Sequence, residues 1–172
     1  FNIVQEVKNE INEMGCKIHE IPFQRSPFDK KNLLAYKKLK QIIESEQYEL
    51  VHTHTPVASA LVRIVCKKNK KTKVIYTAHG FHFFKGASIK NWILYYVTEK
   101  ILARWTDIII TMNKEDYKNA IRLVSDKRCK VYYIKGVGID LEKFNYRRDC
   151  IKKEIRRRYG YSDSDFIIIR SE

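Results

Sequence analysis

Short β-branched runs alternate along this chain with stretches that have the apolar spacing of amphipathic helices. The pattern predicts strands at residues 17–21, 49–54, 73–78, 107–111, 130–134 and 166–169. Such alternation is typical of βαβ units, in which a helix connects two parallel strands. The unbroken apolar runs at residues 74–76, 108–110 and 167–169 suit strands that are buried on both faces. We therefore predict an α/β fold in which a parallel sheet carries helices on both faces.

Residues that favour helix N-termini precede the amphipathic stretches. Asp29, Ser88 and Asn113 each have a side-chain oxygen that can cap a first turn. Thr55 is a further candidate cap, and Pro56 after it suits the first helical position. A last, strongly basic helix is predicted at residues 150–159. The side chains predicted to face the core are Leu33, Tyr36, Leu39, Ile42 and Ile43 after Asp29, Trp92, Tyr95, Tyr96, Glu99 and Leu102 after Ser88, and Tyr117, Ala120, Ile121 and Val124 after Asn113.

The chain carries 34 Lys and Arg against 20 Asp and Glu, a formal net charge of +14. Such an excess indicates nucleic acid, an anionic membrane surface or phosphorylated ligands as partners. The basic residues cluster at residues 30–40, 67–73 and 147–158, and solvated helix faces would explain any one cluster. The sequence shows no zinc-finger spacing, RRM-type aromatic signature or helix-turn-helix pattern, so we predict no nucleic-acid partner. Three clusters together favour an anionic membrane surface.

Hydropathy and cysteine spacing bear on the compartment. No apolar run approaches the ~20 residues that a membrane-spanning helix needs. Cys16, Cys66, Cys129 and Cys150 are widely separated and form no C-x-x-C pair, which is typical of reduced thiols in a cytosolic protein. We therefore expect a cytoplasmic protein that is peripheral to the inner face of the plasma membrane.

Polar and flexible residues accumulate at the carboxyl ends of the predicted strands. Ligands of open parallel sheets bind outside that edge. Successive strands run into His52 and His54, His79 and Gly80, Asn113, and Gly136 and Gly138. This edge is the predicted site.

The histidines at this edge have functional and structural interpretations, and both stay open. With a period of two, His52 and His54 point to one face of their strand, where they contact a ligand or form hydrogen bonds beneath the cleft. The His79 imidazole can donate to a sugar hydroxyl or stabilise phosphate charge. His82 belongs to an aromatic loop that contacts a ligand or packs on the sheet. No Asp or Glu is spaced to complete a metal site with these histidines, so no metal is predicted.

Glycines mark two further positions. Gly80 permits a backbone geometry or a close approach that other residues do not. Gly136 and Gly138 lack the third glycine and the helix of a dinucleotide fingerprint, so we predict no such cofactor there. A tight crossover, or hinge, into a second domain is the better interpretation of that pair.

At these residues the chain resembles the retaining glycosyltransferases of the GT-B type, specifically glycosyltransferase family 4 of bacterial capsule, exopolysaccharide or O-antigen assembly. The matching segments are HTHTP at 52–56, TAHGFHF at 77–83, KG at 85–86 and GVGIDLEKF at 136–144. The TAHGFHF string is the most specific of them. The last segment departs from the family's NGVDxxxF element, with Lys135 where Asn is usual and one additional residue.

The resemblance implies a fold, an activity and a set of site residues. The chain would be the Rossmann-like, acceptor-binding N-terminal half of a GT-B fold, with His79 beside the transferred sugar. The residues expected to bind the acceptor are His52, His54, Gly80, Phe81, His82, Lys85 and Asn113. A nucleotide sugar, UDP-linked by family preference, would donate to a lipid-linked glycan with retention and without a metal or other cofactor.

The resemblance also implies a domain division. Residues 1–146 would form the acceptor domain without its first strand and glycine-rich loop, and residues 147–172 a linker helix and the first strand of a donor domain. Because the family's E-x₇-E element and basic pair are not in this sequence, we expect this polypeptide alone to be inactive. The alternative is a non-catalytic α/β module that binds an anionic glycolipid or another phosphorylated partner.

Overall fold

The computed structural model describes residues 5–69, 71–125, 128–136, 138, 140–142 and 149–168. Four parallel strands form one sheet in the order β1-β2-β3-β4. They are β1 (Leu50–His54), β2 (Lys73–Ala78), β3 (Ile108–Thr111) and β4 (Lys130–Tyr133). Helices connect successive strands, so the predicted α/β, Rossmann-like fold with a parallel sheet is confirmed.

The helices begin and end close to the predicted positions. They are α1 (Gln5–Glu13), α2 (Lys31–Glu46), α3 (Pro56–Cys66), α4 (Ile89–Asn91), a π-helical turn (Trp92–Tyr96), α5 (Val97–Leu102), a 3₁₀ turn (Ala103–Trp105), α6 (Lys114–Leu123) and α7 (Asp149–Arg158). Ser88 and Asn113 cap their helices as predicted, because their side-chain oxygens accept the backbone N–H of Asn91 and Asp116. Within the described ranges, no helix has both the length and the apolar content to span a bilayer.

The chain divides into two compact units, Phe1–Gly136 and Val137–Glu172. The first contains the sheet and helices α1 to α6, and the second contains α7. The boundary predicted from sequence lies between residues 146 and 147, which are outside the described residues.

Most of the core of the first unit lies on one face of the sheet. Val74, Tyr76 and Ile109 are buried and point to that face, because side chains alternate along each strand and neighbouring strands are in register. Helix α3 packs on β1 and β2, and α6 packs on β3 and β4. The opposite face carries Leu50 and Tyr132, which are half-exposed.

Two predicted strands are wrong. Residues 17–21 and 166–168 are not in strands, and residue 169 lies outside the described residues. The apolar alternation of both segments is compatible with a strand, but a strand also needs a hydrogen-bonded neighbour. The described residues provide none for either segment.

Two side chains predicted to face the core are exposed instead, Leu33 at 68% and Ile121 at 50%. Helix α2 buries Ala35, Leu39 and Ile43, a row at four-residue spacing that packs toward α3. Leu33 lies off that row. On α6 the buried side is partly polar and includes Asp116 and Asn119, which displaces Ile121 from the core-facing side.

Thr55, at the start of α3, has φ 63° and ψ 142° and makes no side-chain capping hydrogen bond. Its predicted capping role is therefore wrong, although Pro56 occupies the first turn as predicted. A positive φ at a β-branched residue costs roughly 1–3 kcal/mol and persists only where the surroundings impose it. This strained residue directly follows His54.

A buried ion pair connects α3 to α5. The guanidinium of Arg63, whose side chain is fully buried, contacts both carboxylate oxygens of Glu99 at 2.7 and 3.0 Å. It also lies 4.3 Å from the centre of the Tyr76 ring, and its Nε donates to the carbonyl of Ser59. The ion pair therefore holds α3, which begins just after β1, against α5, which follows the aromatic loop after β2.

Candidate functional site

Three histidines meet at the carboxyl edge of the sheet. The register pairs His54 on β1 with Thr77 on β2, which places His79 just beyond that pair. Nδ1 of His54 lies 3.0 Å from Nε2 of His79. The rings of His52 and His54 are 4.4 Å apart between centres, and those of His54 and His79 are 5.3 Å apart. The predicted convergence of these three residues is therefore present in the structure.

The contact between His54 and His79 constrains their protonation. One ring nitrogen must donate and the other accept, so at least one of the two imidazoles is neutral. Burial lowers the pKa of His54 below its usual value, and the neighbouring imidazoles of His52 and His79 lower it further. The His54 imidazole is therefore neutral near pH 7. The second ring nitrogen of His79, Nδ1, remains to contact a substrate.

His52 has a different partner. Its Nε2 lies 2.8 Å from the hydroxyl of Thr77, a buried residue on the neighbouring strand. The bond is of the kind that the structural interpretation of His52 expects, but the residue is exposed, so ligand contact by His52 also stays a prediction. Thr77 was not identified from the sequence, although its position on the same sheet face as His52 could have been read from the strand periodicity.

The loop after β2 buries alternate aromatic residues. Phe81 and Phe83 are 6% and 0% exposed and stack on each other at 4.6 Å. Phe81, predicted to bind the acceptor, instead has its ring in the core, where it joins Tyr76, Ala78 and Phe83 in one buried cluster. Gly80 is exposed, its φ is not positive, and a Cβ there would meet open space. The fold of the chain therefore does not require glycine at this position. Glycine would be required only if a ligand approached the backbone closely.

His82 and Lys85 are exposed and point away from this core. The His82 ring stacks on Tyr95 of the π-helical turn at 4.6 Å. Tyr95, identified from sequence only as a core residue, is thus a second member of this aromatic surface. The exposed His82 ring on the half-buried Tyr95 ring offers an apolar surface with polar edges, which suits a sugar ring.

The N-terminal part of α6 anchors the loop. The Asp116 carboxylate accepts the backbone N–H of Phe81, and the Asn119 amide donates to the carbonyl of Phe83. The Glu115 carboxylate accepts the backbone N–H of Lys85. These contacts join residues 30 to 36 positions apart, which no local sequence pattern indicates, so this role was missed.

Asn113 is occupied by structural bonds. Its Oδ1 accepts the backbone N–H of Asp116 at 2.8 Å, and its Nδ2 donates to the carboxylate of the same residue. The predicted cap is therefore confirmed. Acceptor binding by Asn113 stays a prediction. It would have to use the hydrogen-bonding capacity of the Asn113 amide that these two bonds do not occupy.

Gly136 and Gly138 both have a positive φ, +80° and +75°, which glycine adopts without strain. Val137 between them lies outside the described residues. The division between the two compact units falls directly after Gly136. Among the described residues, no three His, Cys, Asp or Glu side chains are placed to hold a metal ion.

Comparisons with known proteins identify relatives. A model of the family described as glycosyl transferase 4-like matches residues 1–113. The Bacillus subtilis (strain 168) protein EpsD, named as a glycosyltransferase, is 43% identical over 151 residues, 87% of this chain. A 41.2 kDa protein from the cps region of Klebsiella pneumoniae is 31% identical over 67% of the chain.

A third relative has a more specific name. It is the UDP-Gal:α-D-GlcNAc-diphosphoundecaprenol α-1,3-galactosyltransferase of Escherichia coli, which is 33% identical over 67% of this chain. The matched regions span 39%, 34% and 29% of the lengths of these three relatives.

Proposed function

The chain belongs to the glycosyl transferase 4-like family, and from that premise we propose that the protein transfers a sugar from a nucleotide-sugar donor to a lipid-linked glycan. The observation that carries this proposal is the contact between His54 and His79 at the carboxyl edge of the sheet. That edge is where parallel α/β sheets bind their ligands. The contact uses Nε2 of His79, an exposed residue, and no described residue bonds the second ring nitrogen.

The proposed role of the described residues is to bind and orient the acceptor. His79 would hydrogen-bond the sugar being transferred, while His54 holds its ring and His52, itself bonded to Thr77, packs beside His54. The His82 and Tyr95 rings and the backbone near Gly80 would contact the acceptor glycan. Orientation of this kind contributes much of the rate in transfers between two substrates.

The donor and acceptor classes are proposed from the relatives. The name of the E. coli relative specifies a UDP-sugar donor and a diphosphoundecaprenol-linked acceptor. The K. pneumoniae relative lies in a cps region. We therefore propose a UDP-sugar, a polyprenyl-diphosphate glycan acceptor, retention at the anomeric carbon and a place at the inner face of the plasma membrane, in surface polysaccharide synthesis.

The test is a transfer assay on the full-length protein that the gene encodes. A panel of UDP-sugars is offered with short polyprenyl-diphosphate glycans, with and without a chelator, and the linkage of the product is determined. We expect one UDP-sugar to be transferred with retention and without loss on chelation. Absence of transfer from every nucleotide sugar, together with tight binding of the acceptor alone, would instead support the non-catalytic binding module.

A further inference from the structure

A stripe of exposed apolar side chains runs along the helical segment between residues 89 and 105. It consists of Ile89, Ile93, Leu94, Val97 and Ile101, which are 44–78% exposed. Four of them recur every four residues. In an α-helix, with 3.6 residues per turn, side chains four residues apart shift gradually around the helix axis. The π-helical turn at Trp92–Tyr96 has more residues per turn and so offsets this shift. The opposite side of the segment is packed into the core through Trp92 and Leu102.

The exposed charges on this segment are all positive. Lys90, Lys100 and Arg104 are exposed, and Glu99 is the one acidic residue of the segment. Glu99 is buried and bonded to Arg63 inside the molecule. The exposed surface therefore combines apolar and cationic side chains without an anion.

A polar side chain beside the stripe is satisfied within the helix. Thr98, next to Val97, donates its hydroxyl to the carbonyl of Leu94 at 2.6 Å. A hydroxyl bonded back to its own helix can enter an apolar environment at a small cost. Lys100 lies near the Tyr96 ring, and its long side chain can keep its ammonium at a polar surface while the stripe is buried.

We propose that this stripe, residues 89–101, is the surface by which the protein docks on an anionic lipid bilayer. Exposed contiguous apolar side chains mark an interaction site. A segment with apolar side chains on one face and Lys and Arg beside them is typical of helices that lie in the membrane interface. A second copy of the chain is a poorer occupant, because a symmetric contact would bring Lys90, Lys100 and Arg104 close to the same cations. The inference rests on the proposed function for its setting, since a lipid-linked acceptor is presented at a bilayer.

Vesicle sedimentation tests the inference without sugar transfer. The protein is mixed with vesicles of phosphatidylcholine alone or with added phosphatidylglycerol, and the bound fraction is measured. We expect binding that increases with phosphatidylglycerol and weakens with salt. The double substitution Ile93→Ser and Val97→Ser should lower partitioning about ten-fold for each residue. Lys90→Gln with Arg104→Gln should lower it about five-fold for each charge removed.

Matched controls come from other elements. Leu33→Ser with Leu34→Ser replaces similarly exposed apolar residues of α2, and Lys118→Gln with Lys130→Gln removes two exposed charges that lie outside the three basic clusters. These variants should bind vesicles as the wild type does. If the stripe variants keep a wild-type thermal midpoint and still bind vesicles fully, the inference is overturned. It is also overturned if the wild-type protein binds no vesicles and forms a dimer that the stripe variants abolish.

The proposed function and the proposed docking surface can be contradicted independently of each other. Stripe variants should transfer sugar normally to a short-chain, water-soluble acceptor, because the stripe lies outside the histidine cluster. A wild-type protein that docks on vesicles but transfers no sugar would contradict the proposed function and leave the docking surface intact.

Discussion

Nδ1 of His54 lies 3.0 Å from Nε2 of His79, although the two residues are 25 positions apart in the chain. The distance follows from the parallel register, in which His54 is paired with Thr77 and His79 comes two residues later. The contact joins two neighbouring strand ends into one site. It also places the His79 imidazole where it lowers the pKa of His54.

The first prediction concerns pH. The pKa of His54 is lowered in the folded protein by burial and by its two histidine neighbours, so the unfolded chain binds its proton more readily. Its contribution to stability is complete above the unfolded value of about 6.5 and is lost as the pH falls below it. We expect the free energy of unfolding to decrease more between pH ~7.5 and ~5 in the wild type than in His54→Asn. Denaturant titrations at each pH measure this, with His19→Asn, at an exposed position away from the sheet, behaving as the wild type.

The second prediction concerns the Arg63–Glu99 pair. Removing one partner leaves an uncompensated buried charge, so Glu99→Leu should lower the free energy of unfolding by about 3–5 kcal/mol. The double variant Arg63→Met and Glu99→Leu should regain most of that loss, since an apolar pair needs no compensation. Glu44→Gln, in the exposed pair with Lys40, is the control and should change stability little. A double variant as unstable as the single one would contradict this account.

The third prediction concerns the anchored loop. Asp116 is buried and accepts hydrogen bonds from Phe81 and Asn113, so Asp116→Ala should cost about 1.5–3 kcal/mol for each charged hydrogen bond lost. The backbone amide of Phe81 should then exchange with solvent faster, as measured by hydrogen exchange. Glu115→Ala removes only an exposed bond and should have a much smaller effect. Equal protection of Phe81 in the wild type and Asp116→Ala would show that the carboxylate does not hold the loop.

The sequence was sufficient for the four strands of the sheet because each contains β-branched residues and follows an amphipathic helical stretch. Strand β2 was predicted with its observed bounds, and β1, β3 and β4 to within one residue at each end. The segments at residues 17–21 and 166–168 have similar composition but no paired neighbour among the described residues. Strand formation depends on that pairing as well as on the pattern.

The site was predictable in its position but not in its bonds. The carboxyl-edge rule placed His52, His54 and His79 together, since all three follow or end neighbouring parallel strands. The bond of His52 to Thr77 depends on the register, and the burial of Phe81 depends on how the loop meets α6. Neither feature can be read from a single segment of sequence, because the contacts behind them join residues 25 and 35 positions apart.

The central claim is that His79 acts on the transferred sugar at the rim shared with His54. The most direct test is the turnover number of His79→Ala in the full-length protein, measured beside His19→Ala as a matched control. The account predicts a loss of about 10²–10³-fold in kcat for His79→Ala, as for removal of a donor that stabilises a transition state, with an unchanged thermal midpoint. A folded His79→Ala protein whose kcat equals that of His19→Ala would contradict it.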